Sequence, residues 1–118
     1  MTAPPPVRAV SRPAPGSALV LLDLPADHPA FAGHFPGRPV LPGVLQTHWA
    51  LALGDELLGT GCRAAGDFQV KFRRVIGPGA GLELHLHHDA DRRSLTFEYR
   101  QDGETAAQGR VRLDGAAP

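Results

Sequence analysis

The sequence predicts an α+β domain in which one long buried helix packs on a face of an antiparallel β-sheet. Two patterns carry that reading. The stretch VLQTHWALALGDELLG has no proline, little glycine and apolar residues on every side of a helical wheel, which marks a central helix rather than a surface one. After it, short runs alternate apolar and polar residues and are separated by Gly-rich turns, the period-two signature of strands with one buried face. A helix laid on such a sheet buries the apolar side of both.

Taken in order, the first sixteen residues hold five prolines and no apolar periodicity, so 1–16 are expected to be a Pro/Ala-rich flexible tail with few packing contacts. From Ser17 the run SALVLLDL, closed by Pro25, reads as a strand buried on both faces. PADHPAFAGHFPGRPVLPG is dense in Pro and Gly and should be irregular with a tightly fixed backbone. The helix follows over Val44–Leu58. DFQVKFRRVI then alternates Phe68, Val70 and Phe72 with polar neighbours before the turn GPGAG, and GLELHLHH sets Leu82, Leu84 and Leu86 opposite Glu83, His85 and His87. SLTFEYR alternates again, and the turn QDGE leads into TAAQGRVRL, where Val111 and Leu113 keep the period. The domain is placed at 17–113, with 114–118 a C-terminal tail.

A length of 118 residues, 42% hydrophobic and 20% charged, suits one globular domain near the size at which a single core becomes marginal, so pairing with a second chain would help. Lys and Arg balance Asp and Glu at 12 each. That neutrality gives no overall steering toward nucleic acid or membrane. The lone Cys62 cannot close an intrachain disulfide and reads as an idle thiol. With no signal-peptide core and no run long enough to span a bilayer, a cytoplasmic location is expected.

The segment FAGHFPGRPVLPGVLQTHWALAL, Phe31 to Leu53, resembles the active-site signature of the 3-hydroxyacyl-acyl-carrier-protein dehydratases, a hotdog-fold family. There, His-Phe-Pro precedes a Pro-Gly that opens the central helix. VKFRRVIGPGAGLEL is similar to the family's basic strand and turn, and GETAAQGRVRL to its last strand. Gln46 and Trp49 bring the helix closest to the small dehydratases of the aryl-polyene branch. The resemblance implies a single hotdog domain, a curved antiparallel sheet wrapped around the helix. It also implies a homodimer, or alternatively a hotdog heterodimer, whose sheets join edge to edge and whose sites combine the loop of one subunit with the helix of the other. A cis His34–Phe35 peptide is a further implication.

The implied reaction removes water from a 3-hydroxyacyl thioester on acyl carrier protein, giving a trans-2-enoyl thioester in fatty-acid-like or aryl-polyene biosynthesis. His34 is the expected general base, because an imidazole titrates near neutral pH. Gly43, followed by Val44, begins the helix, where the first N–H groups lack intrahelical partners and the dipole is positive. Gly43 is the expected oxyanion donor. A tunnel lined by Phe31, Phe35, Leu41 and Phe68 is expected to take the acyl chain.

The family's second catalytic group is a carboxylate fourteen positions after the histidine, where this sequence has His48. His48, one turn after Val44 on the same face, is the expected proton donor to the leaving hydroxyl. Its departure from the pattern keeps a hotdog thioesterase and a non-catalytic carrier-binding partner subunit as alternatives. Asp55 and Glu56 lie too far along the helix to replace it. Lys71, Arg73 and Arg74 are expected to dock the acidic carrier protein or the pantetheine phosphate. Glu83, His85, His87 and His88 invite a metal reading, yet zinc sites usually draw ligands from several elements, so no metal is expected. Nor is any cofactor, since the chemistry is proton transfer and phosphopantetheine arrives with the substrate.

Overall fold

Alternation along the strands builds the sheet. In a computed structural model, which describes residues 3–31, 39–61 and 64–113, six strands form one antiparallel sheet: β1 (Val7–Ser11), β2 (Ser17–Leu24), β3 (Ala64–Phe72), β4 (Gly79–Asp89), β5 (Ser94–Gln101) and β6 (Glu104–Leu113). Their order across the sheet is β1-β2-β4-β5-β6-β3. A short 3-10 turn, Pro29–Phe31, and the helix α1, Gly43–Leu58, come between β2 and β3. One helix laid on a long antiparallel sheet is the hotdog arrangement.

Val20, Leu22, Leu82, Leu84, Leu86, Leu95, Phe97, Tyr99 and Val111 of the sheet are buried with Leu45, Trp49, Ala50 and Leu53 of α1 in one core. Trp49 is fully buried, with His28 edge-on against its ring at 5.4 Å. Removing a buried side chain of that size costs about 3–5 kcal/mol. The helix ends at Gly59, whose φ of 67° is left-handed and whose N–H donates to the Asp55 carbonyl at 2.9 Å; glycine takes that conformation without a Cβ penalty. The β5–β6 hairpin turns through Asp102 and Gly103, both at positive φ, as the QDGE signal requires.

Four expectations need correction. Residues 7–11, placed in a flexible tail, form β1 and pair with β2, Val10 opposite Val20. Every residue of β1 is exposed, so an edge strand formed with no buried face to impose an apolar period. β2 buries Ala18, Val20, Leu22 and Leu24 alone, while Leu19, Leu21 and Asp23 are only half-covered, because the helix lies on one side. The helix is not buried all round: Val44 is 68% exposed. His88 has the parity of Leu82, Leu84 and Leu86, so it does not share a face with Glu83, His85 and His87. The 114–118 tail and Cys62 lie outside the described residues. No helix among those described is long and apolar enough to cross a membrane.

Candidate active site

The start of α1 is built without the usual side-chain cap. Pro42 occupies the cap position at φ −61° and ψ 141° and offers no side-chain hydrogen bond. Its carbonyl accepts from both Leu45 N–H, at 3.1 Å, and Gln46 N–H, at 3.2 Å. The preceding amides, Gly43 and Val44, have no partner among the described residues, and they sit where the helix dipole is most positive. A sixteen-residue helix therefore presents two donors to any oxygen placed before them.

His48 lies one turn beyond Val44 on the same stripe, half-buried between the exposed Val44 and the core face of Leu45 and Trp49. His34 and Phe35 lie outside the described residues, as does the peptide expected to be cis.

Phe72, at the end of β3, reads in the sequence only as part of an alternating strand and not as a site residue. A Cβ built on Gly43 would fall 2.7 Å from its Cζ and 3.0 Å from its Cε1, so the ring rests directly on the helix start. Only the absence of a side chain at position 43 allows that approach. No sequence signal links the two residues, because their meeting depends on which strand becomes the sheet edge. Phe72 is 53% exposed and Phe68 56%. With Val44 and Val75, also exposed, they leave an apolar patch along β3, which has a sheet neighbour on one side only.

The other expected lining residues divide. Phe31 and Leu41 belong to the hydrophobic core, Leu41 being 1% exposed; Phe68 stands open on the edge strand. Lys71, Arg73 and Arg74 are exposed around Phe72. Arg73 Nε donates to Gln108 Oε1 at 3.3 Å, and Arg74 pairs with Glu104. Both partners of that pair are more than half exposed, so it adds little stability.

On the sheet face away from the helix, Ser17, His85, His87, Glu98, Lys71 and Arg110 border an open groove of about 790 Å³. Its histidines are engaged locally: His85 Nε2 meets Glu83 Oε1 at 3.0 Å, and His87 Nδ1 meets Ser17 Oγ at 2.8 Å. The sheet separates this groove from Gly43 and His48. Among the described residues no group of three His, Cys, Asp or Glu side chains could hold a metal ion.

A hotdog sheet whose helix opens on Pro-Gly, with the His-Phe-Pro signature ahead of it in sequence, defines a dehydratase of the 3-hydroxyacyl-acyl-carrier-protein type. The family model described as ApeI-like, ApeI dehydratase, matches residues 11–110. The chain belongs to that family, the branch to which Gln46 and Trp49 point. It is 35% identical over 104 residues to the 3-hydroxyacyl-acyl-carrier-protein dehydratase FabZ of Thermomicrobium roseum, covering 80% of this chain and 70% of that one. Against FabZ of Rickettsia bellii the identity is 32% over 95 residues, covering 71% of this chain and 66% of the relative. Among solved structures, the dehydratase heterocomplex ApeI:P from Xenorhabdus doucetiae contains a chain with a TM-score of 0.83 and 35% identity, covering 92% of this chain and 96% of that one.

Proposed function

We propose that His34 and His48 carry, in this chain, the dehydration of 3-hydroxyacyl thioesters by which its curated relatives are named, with acyl carrier protein delivering the substrate. The carrying observation is the helix start: two first-turn amides with no described partner, and an imidazole one turn further along the same stripe. The thioester oxygen accepts from the Gly43 amide, which stabilises the charge that develops as the proton on the adjacent carbon leaves. His34 takes that proton. His48 gives a proton to the departing 3-hydroxyl, which leaves as water, and the trans-2-enoyl thioester remains. One histidine must start neutral and the other protonated, so the rate is bell-shaped in pH. No cofactor enters these steps.

The apolar edge of β3 fits a second hotdog chain. Phe68, Phe72 and Val75 would be covered by an edge-to-edge partner, and the unpaired strand would gain hydrogen bonds. A homodimer uses this chain alone; the ApeI:P heterocomplex supports an unlike hotdog partner as the alternative. In either pairing, the helix of one subunit would work with the His34 loop of the other. Lys71, Arg73 and Arg74, grouped beside that edge, would meet the acidic carrier. The reading carries with it a cytoplasmic location, alongside the pathway that loads the carrier.

The test is incubation with 3-hydroxyacyl carrier proteins, weighing the products for loss of water. His34→Ala should lower the rate by about two orders of magnitude or more, as loss of a general base does. His48→Ala should nearly abolish it, whereas His48→Asp or His48→Glu should retain or raise it. Free acid among the products would instead identify a thioesterase, and normal turnover by His48→Ala would remove His48 from the chemistry.

A further inference from the structure

Gln46 takes no part in these steps, yet it is the polar side chain set deepest at the helix start. It is 3% exposed. Its Nε2 donates to the Leu41 carbonyl at 3.1 Å, while its own backbone carbonyl accepts from the Tyr99 hydroxyl at 2.7 Å. Its Oε1 is buried with no partner among the described residues. The Leu41 N–H donates to Ile76 O at 2.8 Å. The next residue, Gly77, is gripped twice by the Gln101 amide: its N–H donates to Oε1 at 3.2 Å and its carbonyl accepts from Nε2 at 2.8 Å.

Leu41 is therefore held at both of its peptide groups, by the first turn of α1 and by the loop before β4. That matters because Pro42 follows it. With the Pro42 ring fixing φ, the orientation of the Leu41–Pro42 peptide decides where the Gly43 amide points. An apolar side chain at position 46 would strand the buried Leu41 carbonyl, whereas Gln46 strands its own Oε1, so one buried acceptor goes without a donor either way and the exchange costs little net stability. Stability alone does not explain the choice.

We infer that Gln46 is a positioning residue, which clamps the Leu41 carbonyl so that the Gly43 and Val44 amides face the reacting thioester. The inference rests on the reading of those amides as oxyanion donors. It predicts an effect on the transition state rather than on binding, since the developing oxyanion gains more from aligned donors than the ground-state carbonyl does.

The variants are Gln46→Leu, which keeps the bulk and loses the donor, and Gln46→Glu, which donates to Leu41 only while protonated. kcat, KM and thermal unfolding are followed across pH with a 3-hydroxyacyl carrier protein. Gln46→Leu should lower kcat about tenfold or more with KM within about threefold. In Gln46→Glu, burial favours the protonated acid, so its kcat relative to wild type should rise as pH falls from about 8 to about 6. Dividing by wild type removes the histidine titrations common to both proteins. A Gln46→Leu kcat within about twofold of wild type overturns the inference, and so does a flat Gln46→Glu ratio. If Gln46→Leu does not fold, the Gln46→Glu ratio decides; loss of fold in both makes Gln46 structural and also overturns it. A wild-type protein that releases no water removes the functional reading itself, and the inference with it.

Discussion

Adding one methyl group at Gly43 should separate the stability of the helix start from its chemistry. The new Cβ would lie 2.7, 3.0 and 3.2 Å from Phe72 Cζ, Cε1 and Cε2, inside the roughly 3.5–4.0 Å of ordinary carbon contacts. Phe72 is half-exposed, so its ring can swing outward, giving up contact with the helix at a cost at the low end of the about 1–3 kcal/mol of overpacking. Against this, alanine in place of glycine at a helical φ stabilises by about 0.4–1 kcal/mol through the unfolded chain. The two nearly cancel, and Tm should stay within about 4 °C of wild type. Activity has no such compensation: the methyl and the displaced ring crowd the approach to the Gly43 amide, and loss of one oxyanion donor is worth about 10²–10³ in rate. Enoyl thioester formation and a thermal melt on the same Gly43→Ala sample measure both. Wild-type kcat/KM would refute the assignment of the Gly43 amide, and a fall in Tm beyond about 10 °C would refute the account of a yielding ring.

Burial raises the Tyr99 pKa far above that of a free phenol, so the folded state keeps its proton where the unfolded chain loses it; that contribution is complete below about pH 10 and falls by about 1.4 kcal/mol per pH unit above it. Alkaline unfolding monitored by circular dichroism should therefore be steep in wild type and shallower in Tyr99→Phe, which should also lose about 0.5–1.5 kcal/mol at neutral pH with the hydrogen bond to the Gln46 carbonyl. Phe68→Asp places a charge on the exposed edge of β3 and, on the proposed edge-to-edge pairing, should shift the mass seen by light scattering from dimer to monomer; an unchanged mass would refute a β3 interface. Gly109→Ala would set a Cβ 2.7 Å from Phe97 Cζ and 3.0 Å from the Gln69 carbonyl, where the buried ring cannot swing clear, and should cost about 1–3 kcal/mol in denaturant unfolding.

What could be read from the sequence was whatever is written locally. Leu82, Leu84 and Leu86 declare the buried face of β4 by alternation, the helix shows itself between Pro42 and Gly59, and Asp102-Gly103 announces its turn. β1 was not legible, because a strand exposed along its whole length carries no apolar period and its flanking prolines imitate a tail. The helix looked buried all round because periodicity does not show which apolar residues the sheet leaves uncovered, and Val44 is one of these. At the site, Gly43 opens α1 and His48 lies one turn beyond Val44 on the same helix. Phe72 and the Leu41–Gln46–Tyr99 contacts are products of strand order, and strand order is set by the whole chain.

That order also bears on how the molecule assembles. β3 precedes β4, β5 and β6 in the chain, yet its neighbour in the sheet is β6. While the β4–β5–β6 meander forms from local contacts, β3 has nothing to pair with, and Phe68 and Phe72 wait in water. Closing that long loop is a slow event of the kind that leaves apolar strands open to wrong partners. The edge proposed to meet a second subunit is then one of the parts of the sheet protected late, and early encounter with such a subunit would shield it.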